Sequence, residues 1–343
     1  MSPAQQKIKV QVVFNDLKTS TSNTDQDTIS EAAVKGEAVA VYEALCSENN
    51  YTAELLPVFD LEEAFAAVKI FQPNVIFNLC EGLKSHTNQE MNVAGFWEML
   101  DLPYTGNSPL TLGLAQNKIL SKNLFKANGI PTPDFCVYED NPTECNLDYP
   151  LIAKPSREDG SVGITQNSFI ENLGKLQATV NALLEKYRQP ILVEKFISGR
   201  EFNISILGND LPQVLPPSEI SFEQVGDGFF PITSYEAKWL SDHPMYRMTP
   251  PVCPASVTPE LGQQLADLSL RVYHILHGRD YGRVDIRMDA TGNLFVLEYN
   301  PNPDISPDAG FVRALKAGGM SYGNFVDYLV KQALSRQRNE HYS

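Results

Sequence analysis

Cysteine is scarce and shows no pairing pattern. The five residues at 46, 80, 136, 145 and 253 form no C-x-x-C pair and no even framework. That excludes a disulfide-stapled scaffold and a cysteine-rich zinc site, and it fits the reduced thiols of a cytoplasmic protein. Long apolar runs are missing too. Nothing approaches the roughly 20 residues of a membrane span, and the polar stretch from Met1 to Lys9 has no signal-peptide core. Positive charge is in deficit, with 27 basic residues against 42 acidic ones and a net charge of −15. A nucleic-acid binder presents a basic face, so no such partner is expected. An anionic substrate stays admissible, because the field in a cleft depends on where lysines and arginines gather. His274 and His277 could share a helix face as metal ligands, but no third ligand lies near them in sequence.

What is present is an ordinary globular composition, 43% hydrophobic, in a chain of 343 residues. That length allows about two or three domains. Over the first hundred residues, strand signals (9–14, 51–59, 74–79) alternate with helical periodicity (29–49, 61–71, 90–100). Such alternation predicts an α/β, Rossmann-like parallel sheet. The long polar loop 15–30 would lie at the carboxyl end of the first strand, where open α/β sheets bind ligands. A second unit runs from about 117 to 202: a helix over 118–128 stopped by Gly129, strands at 150–154 and 191–197, and a helix at 173–186. The third contains a Pro- and Gly-rich excursion, 215–254, long enough to read as a lid. A helix over 259–276, two strands and a C-terminal helix from about 322 to 334 follow.

Those two strands carry the strongest signal. In Tyr281-Gly282-Arg283-Val284-Asp285 and Val296-Leu297-Glu298-Tyr299-Asn300, polar residues fall at every second position. Side chains i and i+2 of a strand share a face. If the strands pair, Arg283, Asp285, Glu298 and Asn300 converge on one patch. Hard oxygen ligands beside an arginine suit a Mg²⁺–polyphosphate complex. Upstream, Lys154 closes a strand before a loop containing Gly160, Ser161 and Gly163, where backbone N–H groups can approach phosphate. The apolar strand 191–197 with its one acid, Glu194, then the turn Ser198-Gly199-Arg200-Glu201, suits a purine nucleoside, with Glu194 toward the adenine amino group and Glu201 toward the ribose. Ordinary half-buried strands and a generic Gly-rich turn are the alternatives for each segment taken alone.

In order, these segments resemble the ATP-grasp superfamily, specifically the D-alanine–D-alanine ligase family. The residues carrying the resemblance are Leu102-Pro103-Tyr104-Thr105-Gly106, the string Lys154-Pro155-Ser156-Arg157-Glu158, Glu194-Lys195 with Gly199-Arg200-Glu201-Phe202, Tyr235-Glu236-Ala237-Lys238, Gly282-Arg283-Val284-Asp285 and Leu297-Glu298-Tyr299-Asn300. The resemblance covers about residues 75–335. It implies a Rossmann-like N-terminal substrate domain (1–115), a central ATP-grasp subdomain (116–203) and a C-terminal catalytic subdomain (204–343). It also implies ATP, with Lys118 and Lys154 on the phosphates. Adenosine would be held by Glu194, the backbone of Lys195 and Ile197, and Glu201, between the apolar walls Phe196 and Leu297. Asp285, Glu298 and Asn300 would bind two Mg²⁺ ions (Mn²⁺ as a substitute). Arg283 would stabilise an oxyanion, and Lys238 would reach the γ-phosphate or the acceptor carboxylate. The partners would be a small-molecule donor and an amino acid acceptor, and the assembly a homodimer.

Departures from the family pattern concentrate on the substrate side. The family's glutamate-bearing loop after the first strand reads Asn15-Asp16-Leu17-Lys18-Thr19-Ser20 here, with no assignable ammonium-binding acid. Its loop serine falls at Gly160, or at Ser161 if the loop shifts by one, and the tyrosine after the lid lysine is Trp239. On the acceptor side a glycine becomes Asp304 and a serine becomes Ala309. The expectation is an ATP-dependent C–N ligase that phosphorylates a donor carboxyl or carbonyl oxygen and couples it to an amino acid. Three alternatives remain: the mycosporine-like amino acid branch (mycosporine-glycine plus serine or threonine), a true D-alanine–D-alanine ligase, and a non-catalytic nucleotide sensor.

Overall fold

The structure, a computed structural model, describes residues 7–15, 25–83, 89–142 and 145–340. The chain opens with β1 (Ile8–Asn15), α1 (Asp25–Ser47), β2 (Tyr51–Val58), α2 (Leu61–Phe71), β3 (Val75–Leu79), α3 (Glu90–Met99) and α4 (Pro109–Gln116). β1 lies between β2 and β3 and pairs in parallel with both. Both faces of this sheet are covered, which is why β1 and β3 read as near-continuous apolar runs. Val10, Val12 and Phe14 meet Val34, Ala38, Val41 and Leu45 of α1, which recur at helical spacing. Val13 and Ile76 meet Val68 of α2 and Trp97 of α3 on the other side. The expected Rossmann-like alternation is therefore present. α1 begins earlier than its periodicity suggested, and residues 16–24 of the expected loop lie outside the described residues. Sequence reading passed over α4, although Ser108 caps it and Pro109 opens its first turn.

Next come α5 (Lys118–Ala127), β4 (Phe135–Tyr138), β5 (Leu151–Pro155), β6 (Phe169–Ile170), α6 (Leu173–Tyr187) and β7 (Ile191–Lys195). The four strands form an antiparallel sheet in the order β4-β7-β5-β6. Leu176 and Val180 of α6 seal one face of it.

The rest of the chain is β8 (Arg200–Leu207), β9 (Gln213–Val214), β10 (Ser218–Ile220), α7 (Tyr235–Trp239), α8 (Pro244–Met248), β11 (Pro251–Val252), α9 (Pro259–Ile275), β12 (Tyr281–Met288), β13 (Leu294–Asn300), α10 (Gly310–Ala317) and α11 (Tyr322–Glu340). Strands β11-β10-β8-β12-β13 make an antiparallel sheet, with β9 added on β8. Leu265, Leu268 and Val272 of α9 bury one face against Ile204, Val284 and Val296. The opposite face carries the polar alternation and lines a cleft. α11 returns to the first sheet, where Phe325, Val326, Leu329 and Val330 join the core around Val10 and Val12. The segment 215–254, expected as a lid or binding loop, contains two short helices and two short strands. Among the described residues no helix is long and apolar enough to cross a membrane.

Candidate active site

β12 and β13 pair antiparallel, with Arg283 opposite Asn300 and Asp285 opposite Glu298. The alternation thus brings all four onto one face, as expected. Beyond Asp285 the ladder slips and Ile286 faces Val296, leaving Leu297 as an extra residue in a bulge. Arg283 grips Asp285 with two parallel bonds, Nε to Oδ1 at 2.7 Å and Nη2 to Oδ2 at 2.8 Å. The Asn300 amide donates to Asp285 Oδ2 at 2.9 Å and that of Asn203, on β8, to Oδ1 at 2.7 Å. Amide nitrogens turned toward Asp285 leave the amide oxygens as acceptors for a cation.

The lysines stand at one end of this face. Lys118 Nζ reaches the Glu158 carbonyl at 2.7 Å, Asp159 Oδ1 at 2.8 Å and Glu298 Oε2 at 3.3 Å. Burial works against charge on Glu298, but Lys118, Lys154 and Arg283 outweigh it and hold the carboxyl down at about 2. Glu194 is clamped between two ammonium groups, Lys154 and Lys122, each at 2.6 Å. Burial pushes the Lys122 ammonium down to about 8. It also opposes charge on Glu194, where the two lysines prevail and keep the carboxyl below its usual range. Each Glu194 oxygen still has a second lone pair for a further donor. Sequence reading did not find Lys122, although it lies one helical turn after Lys118 on α5.

A cavity of about 620 Å³ extends from these groups, walled by Phe196, Ile197, Leu297 and Glu201, with Lys195 at its edge. Phe196 is backed edge-on by Phe169, their ring centres 5.0 Å apart. Glu201 Oε1 accepts from Thr233 Oγ1 at 2.7 Å and Oε2 from Arg287 Nε at 2.8 Å. Asn203 and Arg287 also escaped the sequence reading. Both continue an alternation already noticed, as Glu201-x-Asn203 on β8 and Arg283-x-Asp285-x-Arg287 on β12.

A second, smaller cavity of about 140 Å³ adjoins the first. The two share Gly160, Lys238, Trp239, Arg283, Asn300 and Asp304 as a common wall. Gly160 and Ser161 both adopt left-handed backbone, with φ of 61° and 64°. Trp239 closes over this turn, its indole N–H donating to the Gly160 carbonyl at 2.8 Å. Ser161 Oγ donates to the Thr233 carbonyl at 2.9 Å. The Gly-rich loop and the 229–239 segment are thereby latched together. Lys238 lies exposed in the cleft, its Nζ 5.0 Å from the Trp239 ring centre.

The remaining wall of the smaller cavity is acidic: Glu37, Glu81 and Glu90 join Asp159 and Asp304 there. Burial, reinforced by Asp304, pushes the Glu81 carboxyl up to about 7. Burial first, then neighbouring carboxylates, raises Glu37 and Glu90 well above their usual range. Glu37 accepts the Ile305 N–H at 2.8 Å, and Glu90 accepts the Asn302 amide at 2.5 Å. In sequence, the segment 15–20 offers no assignable ammonium-binding acid. The structure supplies acids from α1, the end of β3 and α3.

Among the described residues no three His, Cys, Asp or Glu side chains meet as a self-sufficient metal cage. Mg²⁺ does not need one, since it is commonly held by one or two carboxylates plus substrate phosphates. The carboxylates of Asp285 and Glu298 and the amide of Asn300 fit that mode.

The sequence model of the family described as D-ala D-ala ligase C-terminus matches residues 124–331. An uncharacterized protein of Sinorhizobium fredii is 35% identical over 264 residues, covering 76% of this chain and 75% of that protein. The D-alanine–D-alanine ligase of Haemophilus influenzae is 33% identical over 303 residues, covering 86% of this chain and 94% of that enzyme. The crystal structure of the D-alanine–D-alanine ligase from Bacillus anthracis complexed with ATP superposes with a TM-score of 0.76 at 18% identity, over 97% of this chain and 99% of that one. Fold and site define an ATP-dependent C–N ligase with the ATP-grasp architecture. The chain belongs to the D-alanine–D-alanine ligase family.

Proposed function

We propose that this ligase uses Mg²⁺–ATP to phosphorylate a carboxyl or carbonyl oxygen of a donor and couples it to the amine of an amino acid, releasing ADP and phosphate. The observation that carries the reading is the shared wall, where Arg283 and Lys238 stand between a lysine-lined cavity and an acidic one. In this reading residues 1–115 hold the donor, while 116–203 and 204–343 clasp the nucleotide. Lys118 and Lys154 bind phosphates, and the segment Glu194, Lys195, Phe196, Ile197, Glu201 and Leu297 receives the nucleoside. Asp285, Glu298 and Asn300 hold the metal, which neutralises charge on the transferring phosphoryl group when bound.

The donor oxygen attacks the γ-phosphorus and ADP leaves. Lys238 and Arg283 lie where negative charge collects, and Arg283 donates to the oxyanion formed when the amine adds to the activated carbon. Loss of inorganic phosphate then leaves the new C–N bond. Water would hydrolyse the activated donor, so the latch of Trp239 on Gly160 and Ser161 on Thr233 serves the coupling. The acidic second cavity supports a donor bearing positive charge. All five cysteines are free thiols, in keeping with a cytoplasmic setting.

A second reading rests on Trp239. An indole on the wall shared by both cavities suits a flat conjugated donor ring, as in coupling mycosporine-glycine to serine or threonine. Phosphorylating the ring oxygen of such an enaminone spreads positive charge over the ring, which nearby carboxylates stabilise. ADP release with Mg²⁺–ATP decides between these readings, comparing D-alanine, amine-bearing acids and cyclohexenones, each with and without L-amino acids. Turnover that requires both donor and amino acid supports the ligase reading, and a cyclohexenone donor selects the second. Release unaffected by Arg283→Ala would overturn both.

A further inference from the structure

Arg287 makes three hydrogen bonds in the nucleotide cavity, and none of the roles above uses it. It is 3% exposed yet lines the cavity. The three bonds of its guanidinium reach two separate stretches of chain. Nε donates to Glu201 Oε2 at 2.8 Å, Nη1 to the Ile197 carbonyl at 2.8 Å and Nη2 to the Pro231 carbonyl at 2.6 Å. Its Cζ lies over two rings, 4.8 Å from the centre of Phe196 and 5.0 Å from that of Phe222. The turn 198–199 runs tightly against the end of β12. At Gly199, where φ is 126°, an added Cβ would come within 2.2 Å of the Met288 carbonyl. One planar fork therefore joins the 196–201 turn, β12 and the 222–233 segment. A point charge such as lysine cannot reproduce three divergent bonds and two ring faces.

We infer that Arg287 is a positioning residue for nucleotide recognition: it fixes the Glu201 carboxylate toward the ribose and holds the 222–233 segment over the nucleoside. The inference rests on the assignment of this cavity to ATP. A buried ion pair with a purely structural role would produce the same contacts but a different set of measurements.

The test uses the full chain and measures binding of ATP and of 2′-deoxy-ATP, together with kcat and KM for ATP, in wild type, Arg287→Met and Arg287→Lys. Arg287→Lys keeps a cation beside Glu201 and guards against loss of folding in Arg287→Met. The expected result is ATP binding weakened about 10- to 100-fold in both variants. Preference for ATP over 2′-deoxy-ATP should collapse toward unity, with kcat at saturating nucleotide changing far less than KM. If Arg287→Lys melts like wild type and keeps its ATP affinity and ribose preference, the positioning role is overturned while the nucleotide assignment stands. If the wild-type chain itself binds no ATP, the nucleotide assignment falls and this inference falls with it.

Discussion

The two cavities meet at one wall and are opposite in charge logic. In the larger, four acids are paired with cations: Asp285 with Arg283, Glu298 with Lys118, Glu194 with Lys122 and Lys154, and Glu201 with Arg287. In the smaller, Glu37, Glu81 and Glu90 gather around Asp304, and no salt bridge neutralises these three glutamates among the described residues. The first arrangement holds its lysines extended and oriented before a polyanion arrives, and phosphates can replace the acids that orient them. The second gathers carboxyls that burial and mutual repulsion keep near neutral, and a positively charged occupant favours their ionised form. The proposed reaction falls at the boundary, where Arg283, Lys238 and Trp239 line both cavities.

Breaking the paired side should have the largest effect. Glu194→Gln leaves Lys122 and Lys154 as buried like charges, so stability should fall by about 3–5 kcal/mol. Thermal melting reads this loss, and added ATP should restore part of it by supplying negative charge to the same lysines. Removing the boundary cation comes next. Arg283→Ala should lower turnover by about 10²- to 10³-fold, while ATP still binds, as isothermal titration can check.

The acidic side is tested by pH. The Glu81 carboxyl, raised to about 7 by burial and Asp304, is neutral below that pH and charged above it. A donor carrying an ammonium should therefore bind better as pH rises toward 7. Its kcat/KM should fall by up to about tenfold per unit below that pH, and Glu81→Gln should flatten this limb. The smallest change is expected at the seam. Trp239→Phe removes the bond to the Gly160 carbonyl but keeps an aromatic wall. ADP release without product should rise a few-fold, measured against amino acid consumed, with ligation still proceeding.

The paired cavity was legible in sequence because its residues obey short periods. Arg283, Asp285, Glu298 and Asn300 alternate on two strands that needed only to pair, and the ladder brought them together. Lys122, Asn203 and Arg287 follow the same periods and were legible in principle, as one helical turn after Lys118 and as two residues beyond Glu201 and Asp285. The acidic cavity obeys no such period. Glu37 sits within α1, Glu90 opens α3 and Glu81 follows β3. Only the packing of α1 and α3 against the first sheet brings the three together. Glu81 alone had a positional clue, at the carboxyl end of a parallel strand where such sheets bind ligands. The alternating strands and helices of the first sheet declared themselves by apolar runs. The 215–254 excursion did not, because its helices are five residues each, too short for a periodic signature.

The return of α11 to the first sheet has a consequence for how the molecule is made. β1 to β3 leave the ribosome early, but part of the apolar layer over Val10 and Val12 comes from Phe325 to Val330. At about 5–20 residues per second, that face waits on the order of tens of seconds for its cover. Nascent chains are then exposed to chaperones and to misassociation through that face, and chains released early cannot close it. The core of the first sheet is therefore complete only once α11 has been translated.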